Sequence, residues 1–293
     1  MRRFVVAAAM AGMTFGAQAA DLPDLPVLRG SLTTTTPNWN GWYVGGQIGY
    51  VTSDMDFSHA VRSLTDFALR NSVLQAPVEQ WALLSKNHAQ GTGFGAFVGR
   101  NWQWDDVVLG FEVNYQYYNS LKSSSANGMT RTVFPNETAP LGHTYNYDVT
   151  LQGSAALQLK DVVTFRGRAG WAVGNALPYV FGGLAVGRVD VSRSATVSWN
   201  KYDDWDETIV LAGPPPITLL AHHHDFLGSG GPLGAQERRR NDFVPGWTGG
   251  LGLEYCLWGG LFMRGEWAYT HFTNVKDISF SMNEARLGIG YKF

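Results

Sequence analysis

The closing stretch Glu284-Ala285-Arg286-Leu287-Gly288-Ile289-Gly290-Tyr291-Lys292-Phe293 alternates without a break. Side chains in a strand point to opposite faces with period two. Ala285, Leu287, Ile289, Tyr291 and Phe293 therefore form one face, and Glu284, Arg286, Gly288, Gly290 and Lys292 the other. One such strand suits any half-buried sheet. Repeated along a chain that opens with an export signal, the pattern describes a membrane-spanning barrel wall, apolar toward lipid and polar or small toward the lumen.

The signal is at the other end. Met1-Arg2-Arg3 gives a positive start, and Ala17-Gln18-Ala19 a small-residue cleavage site. Between them, Phe4 to Phe15 is apolar but shorter than the roughly 20 residues of a spanning helix. Residues 1–19 read as a signal peptide. Residues 20–40, with three prolines and a Thr run, read as a periplasmic leader, and 41–293 as the barrel. Without Arg2 and Arg3, 22 basic residues become 20 against 24 acidic ones, a mature net charge of about −4 that gives no reason to expect a nucleic-acid partner. No later segment has the length and apolarity of a spanning helix, so a membrane crossing must use strands. Cys256 is the only cysteine, which excludes an intramolecular disulfide and suggests a small buried filler.

Eight strands follow from the period-two pattern. The first is Gly41 to Tyr50, with Trp42, Val44, Ile48 and Tyr50 on one face and Tyr43 and Gln47 on the other. The second, about 92 to 102, aligns Phe94, Ala96, Val98 and Trp102, with Arg100 intruding where it can snorkel to headgroups. The third, Val107 to Tyr118, sends Glu112, Asn114 and Gln116 into the lumen. The fourth runs from Tyr145 to Val173, where every odd position is apolar or Gly except Asp161. At about 3.3 Å per residue it far exceeds a bilayer crossing, so part of it should project as a ribbon unless a bulge near Lys160-Asp161 splits it. The fifth, about 178 to 190, has ambiguous facing. Strands beginning at Trp247, at Leu261 and at Glu284 complete the set. Tight turns near 103–106, 174–177 and 258–260 alternate with mostly long connections at 51–91, 119–144, 191–245 and 273–283. This is the asymmetry of a barrel with periplasmic turns and extracellular loops. Trp102, Trp171, Tyr255, Trp258, Tyr291 and Phe293 fall at the periplasmic boundary, and Tyr50, Tyr117 and Tyr269 nearer the outer one, as aromatic belts require. The fold class is all-β: an eight-stranded antiparallel transmembrane up-and-down β-barrel with long extracellular loops.

Asn38-Trp39-Asn40-Gly41-Trp42-Tyr43-Val44-Gly45-Gly46, the central TFRGRAGWAV and LPYVFGGLAVG (164 to 187), Gly246-Trp247 with GLGLEY (250 to 255), and the closing RLGIGYKF follow one another in this order. In that order they resemble the OmpA-like, porin-family outer-membrane barrels of alphaproteobacteria. The match covers the strands rather than the loops. The resemblance implies a monomeric barrel in the bacterial outer membrane, engaged by barrel-assembly machinery through the strand ending at Phe293. Some relatives bind haemin.

The lumen inventory is Glu112, Glu254 and Glu266 with Arg166, Arg168, Arg264 and Arg286. In a barrel this narrow such charges must pair, which favours a structural ion-pair plug over a gated pore. No substrate cleft or catalytic constellation stands out, so no enzyme activity is expected. His222-His223-His224, in the third long connection, are candidate haem or metal ligands, although neighbours in an extended chain point different ways. His59, His88 and His143 lie in other outer connections. No cofactor is otherwise called for, and no metal site. Arg238-Arg239-Arg240 precedes the sixth strand, where it can contact lipopolysaccharide phosphates or remain solvated. Ile209-Val210-Leu211 and Ile217-Thr218-Leu219-Leu220 flank Pro214-Pro215-Pro216. This patch is expected to pack against other loops rather than dock a partner. In the first loop, Val61, Leu64, Phe67 and Ala68 allow a short amphipathic helix. The expected function is a non-enzymatic outer-membrane barrel that contributes to envelope structure and surface interactions. Its alternatives are surface binding of haem or another ligand, and a narrow diffusion pore.

Overall fold

The computed structural model describes residues 37–293. The expected signal peptide and most of the leader lie outside the described residues. The strands are β1 (Gly41–Asp56), β2 (Lys86–Trp104), β3 (Val107–Tyr118), β4 (Lys122–Val133), β5 (His143–Trp171), β6 (Ala176–Leu211), β7 (Ile217–Trp258), β8 (Leu261–Phe272) and β9 (Ser279–Lys292). Two short helices, α1 (Arg62–Ala68) and α2 (Gln75–Glu79), lie between β1 and β2. All pairings are antiparallel. β1 pairs with β2 and β9, and β3 pairs with β5, so among the described residues eight of the nine strands close a ring and β4 is left out of it. β4 instead adds to the upper half of β5, with Lys122 opposite Gln158 and Val133 opposite Tyr147. The eight expected strands are therefore the barrel. The connection 119–144 holds a ninth strand that the alternation did not reveal.

The periplasmic ends close as expected. Gly174 and Gly259 sit at the tight turns with φ of 56° and 58°, a left-handed conformation that side chains with a Cβ resist. Facing also follows the sequence. Trp42, Ile48, Phe94, Phe111, Leu184, Trp247, Leu287 and Ile289 are exposed to the surroundings of the ring, whereas Tyr43, Gln47, Glu112, Asn114, Arg166 and Arg168 are buried within it. Arg100 lies over the rings of Trp42 and Trp102, with its guanidinium carbon 5.6 and 5.2 Å from their centroids, so its positive charge rests among belt aromatics.

At the outer boundary the register changes. β5 shifts between Leu159 and Asp161, making Lys160 an extra residue, and β7 carries an extra residue between Arg239 and Asp242, where Asn241 has φ 56°. Each bulge turns the strand over, because one inserted residue exchanges its two faces. Below the bulge, the odd residues Phe165 and Trp171 of β5 face outward. Above it, the odd residues Val149, Leu151, Leu157 and Leu159 face inward and are buried. The long apolar column read from the sequence is therefore one column that changes sides. It both projects and carries the bulge.

Inside the projecting part, Val51, Met55, Leu151, Leu157, Val189, Val197, Phe272 and Phe280 form a hydrophobic core with the first loop, whose Phe57, Val61, Leu64, Leu69, Leu74 and Val78 are buried in it. α1 forms where the apolar spacing allowed it. Val61 and Leu64 are buried, but Phe67 is exposed, so the apolar side of the helix is narrower than the sequence suggested.

Candidate functional site

Three layers fill the ring. At the periplasmic end, Trp39, Tyr43, Phe97, Val108, Leu177, Tyr179, Phe181 and Phe262 form a second cluster. Trp39 belongs to the leader in the sequence reading. Its ring meets Phe262 edge-on at 6.4 Å, and its backbone N–H donates to Gln103 Oε1 at 2.6 Å, so the last leader residues help to fill the mouth.

Above this cluster lies the charged layer, and the lumen residues expected from the sequence meet there. Arg166 bridges Glu112 at 2.5 Å and Glu266 at 2.6 Å. Arg168 reaches Glu254 at 2.8 Å and Glu112 at 3.5 Å. Arg264 reaches Glu112 at 2.9 Å and Glu266 at 3.6 Å. Arg286 approaches Glu266 at 3.7 Å but is held more closely by Glu284, at 2.7 Å. Glu284 is absent from the sequence inventory, although it lies on the polar face of the closing strand. With it, four glutamates balance four arginines. The surplus of one arginine in the shorter inventory was the signal that could have found it, because a buried charge without a partner is strongly destabilising.

Neutral groups complete the layer. Tyr43 and Tyr118 hydroxyls donate to Glu112 and Glu284, both at 2.8 Å, and Gln47 links Asn114 to Arg264. Guanidinium planes rest on the aromatic cluster below, Arg264 at 3.4 Å from the Phe97 centroid, Arg168 at 3.9 Å from Tyr179 and Arg166 at 4.1 Å from Phe181. The third layer is the outer hydrophobic core already described.

Beyond that core, β6 and β7 continue as a two-stranded hairpin. The third long connection is thus strand, not loop, over most of 191–245. β5 stops pairing with β6 at His143 opposite Trp205, so the hairpin beyond is exposed on both faces. The three histidines lie on it and alternate, as adjacent strand residues must. His222 and His224 share a face, where their Nδ1 atoms contact Asp206 and Asp204. His223 takes the other face, with Nε2 3.2 Å from Glu207. His143 joins them across the ladder. Trp205 lies between His143 and His223, with centroid distances of 5.5 and 4.0 Å, while His224 stacks on Tyr202 at 4.2 Å. His88 instead pairs with Asp54 near the barrel mouth. No group of three or more His, Cys, Asp and Glu side chains suited to a metal ion occurs among the described residues.

The arginine run divides. Arg238 borders a groove on the outer sheet face, with Lys122, Ser124, Ala156 and Ser192, and Arg240 is exposed. Arg239 turns to Glu237 at 3.1 Å. Glu237 also holds Arg193 at 2.5 Å and Lys276 at 2.9 Å. Arg193 donates onward to the backbone carbonyls of Ala60 and Lys276, at 3.0 and 3.2 Å, and so ties the first loop, the last loop and the hairpin together. Hydrogen bonds to Lys276 and Arg193 hold the Glu237 carboxyl down at about 2. No periodicity in the sequence singles out Arg193. Cys256 is half-buried beside the turn at Gly259, so it is less enclosed than expected. The patch around Pro214 to Pro216 also departs from expectation. Ile209, Val210, Leu211, Ile217, Leu219 and Leu220 are all exposed rather than packed against other loops, because the hairpin carries them beyond the loops' reach.

A closed antiparallel ring with an apolar exterior is the geometry of an outer-membrane barrel. Residues 5–293 match the family described as outer membrane protein beta-barrel domain. The chain belongs to that family. Its place is the bacterial outer membrane. The 31 kDa outer-membrane immunogenic protein of Brucella melitensis is 26% identical over the whole of both chains. The 25 kDa outer-membrane immunogenic protein of Brucella ovis is 25% identical over 68% of this chain and 62% of its own. Among solved structures, Neisserial surface protein A aligns over 86% of this chain and 97% of that one, with 10% identity and a TM-score of 0.35.

Proposed function

We propose that this outer-membrane barrel is non-enzymatic, that it stabilises the envelope, and that it acts at the surface through its projecting part rather than by conducting solutes. The filled lumen carries this reading. Arg166, Arg168, Arg264, Glu112, Glu254 and Glu266 are buried and cross-linked between the two hydrophobic clusters, so a solute path would have to break several ion pairs at once. Planar-bilayer recording with the full chain tests it. A silent membrane is expected, and steady conductance steps would overturn the closed-lumen reading in favour of a narrow pore.

A second reading, binding of haem through the hairpin, is favoured by one observation. Asp206 and Asp204 engage the Nδ1 atoms of His222 and His224 and leave both Nε2 atoms free on one exposed face, an arrangement in which a carboxylate orients an imidazole for ligation. Haem titration should then shift the visible absorption band, and replacing His222 and His224 by Ala should abolish the shift. For lipid partners, Arg238 and Lys122 just above the lipid boundary support contact with lipopolysaccharide phosphates.

A further inference from the structure

We propose that the tip of the β6–β7 hairpin inserts into the headgroup region of a zwitterionic, choline-bearing bilayer facing the cell. From Thr208 to Ala221 the chain has no charged residue. In the ladder, Ile209 lies opposite Leu219 and Leu211 opposite Ile217 on one face, while Val210 and Leu220 occupy the other. All six are exposed, Val210 by 62% and Leu220 by 57%. A surface meant for one protein partner would concentrate its apolar side chains on one face. Apolar groups on both faces suit immersion in a medium that surrounds them.

The turn fits the same environment. Pro214, Pro215 and Pro216 have no N–H to desolvate, so the apex carries few unpaired donors. The ladder pairs residues up to Leu211 and Ile217, but a two-stranded ribbon still leaves outward-pointing backbone groups on both edges, which excludes deep insertion. Thr208 to Leu211 measures about 10 Å at about 3.3 Å per residue. That matches the roughly 5–10 Å depth of interfacial elements.

Charge selects the lipid. Below the tip, Asp203, Asp204, Asp206, Glu207 and Asp225 form a collar, and Lys201 is the one lysine or arginine between Trp199 and Gly231. Lys201 is already held by Glu137 at 2.7 Å. The collar carboxylates complement quaternary ammonium groups and repel anionic lipid. Four of these carboxylates each contact a histidine, Asp203 with His143, Asp206 with His222, Glu207 with His223 and Asp204 with His224.

The full chain held in amphipol can be floated with phosphatidylcholine vesicles at neutral pH. The expected result is co-flotation that falls tenfold or more with Leu219→Asp and likewise with Leu220→Asp, one change on each face, and that weakens when anionic lipid is added. The heat-dependent shift of the barrel in electrophoresis shows that each variant is folded. The proposal is overturned by absent flotation of the native chain, by loss with only one of the two variants, or by stronger binding to anionic vesicles. A vesicle-independent dimer abolished by the same changes would also overturn it, assigning the tip to a second copy of this chain.

Discussion

Below the bulges at Lys160 and Asn241 the ring is apolar outside and holds its charged layer inside, over an aromatic cluster. Above them the outside turns polar and the inside apolar. Along β1 the inward column passes from Tyr43 and Gln47 to Val51 and Met55, and the outward column from Ile48 and Tyr50 to Thr52 and Asp54. β9 does the same between Arg286 and Phe280. One continuous sheet thus meets two solvents. Lipid demands apolar groups on the outside, and water rewards burying them within. β5 and β7 satisfy both by changing register, while β1, β6 and β9 keep register and change composition. The inversion is a property of level in the sheet, not of any one strand.

Removing the inversion device should have the largest effect. Deleting Lys160 makes β5 regular through the boundary, so either Val149, Leu151, Leu157 and Leu159 turn outward into water or Arg166 and Arg168 turn into lipid. The expected outcome is failure to form the heat-resistant folded band after refolding. A variant that folds with native protease resistance would mean that the bulge is incidental.

Next comes the charged layer below the boundary. Arg264 is fully buried against Glu112, Glu266 and Gln47. Arg264→Ala leaves those carboxylates short of one partner, and loss of a buried partner costs about 3–5 kcal/mol. Equilibrium urea unfolding in lipid vesicles measures it. A smaller change is expected where one face of one strand meets two media. Leu184 and Thr196 both face outward on β6, on opposite sides of the boundary. Leu184→Arg should cost about 2–4 kcal/mol, the range for a cation on a lipid face near the midplane. Thr196→Arg should stay within about 0.5 kcal/mol, as for an ordinary surface change. Equal costs at the two positions would erase the boundary.

The sequence makes the membrane part legible because lipid imposes a strict rule: alternation with apolar groups on one side. All eight wall strands, the inward Glu112, Arg166 and Arg264, and the tight turns follow from it. The outer part is less legible because water relaxes that rule. β4, Lys122 to Val133, is mostly Ser, Thr, Asn and Gly, so neither face has a pattern to read. The hairpin beyond Trp205 is exposed on both faces, which removes alternation at its source. The facing of β6 between 178 and 190 is ambiguous in the sequence because Gly182, Gly183 and Gly187 blur the pattern, and in the structure Tyr179, Phe181 and Ala185 line its interior with apolar groups as well. The short reach of the sequence for the charged layer is of another kind. Glu284 was visible on the polar face, but its role depends on Tyr118 and Arg286, which only closure brings together.

The mildest test concerns the node that fastens the loops above the boundary. Glu237, bonded to Lys276 and Arg193, has its carboxyl lowered from 4.5 to about 2. A carboxylate depressed in the folded state contributes stability that is present above its ordinary value and is lost as pH falls through the folded value. Asp56 behaves alike: the upward push of burial is outweighed by Ser58 and Lys86, and its carboxyl also lies at about 2. The loops should therefore loosen between about pH 4.5 and 2, while the lipid-enclosed ring below keeps its pairing. Hydrogen exchange across this window should show faster exchange in α1 and the 273–278 turn than in β3. Glu237→Gln should reproduce part of that loosening at neutral pH and differ little from the native chain near pH 2. If the native loops keep their neutral-pH protection down to pH 2, the node does not fasten them, and the outer core alone holds the first loop in the barrel mouth.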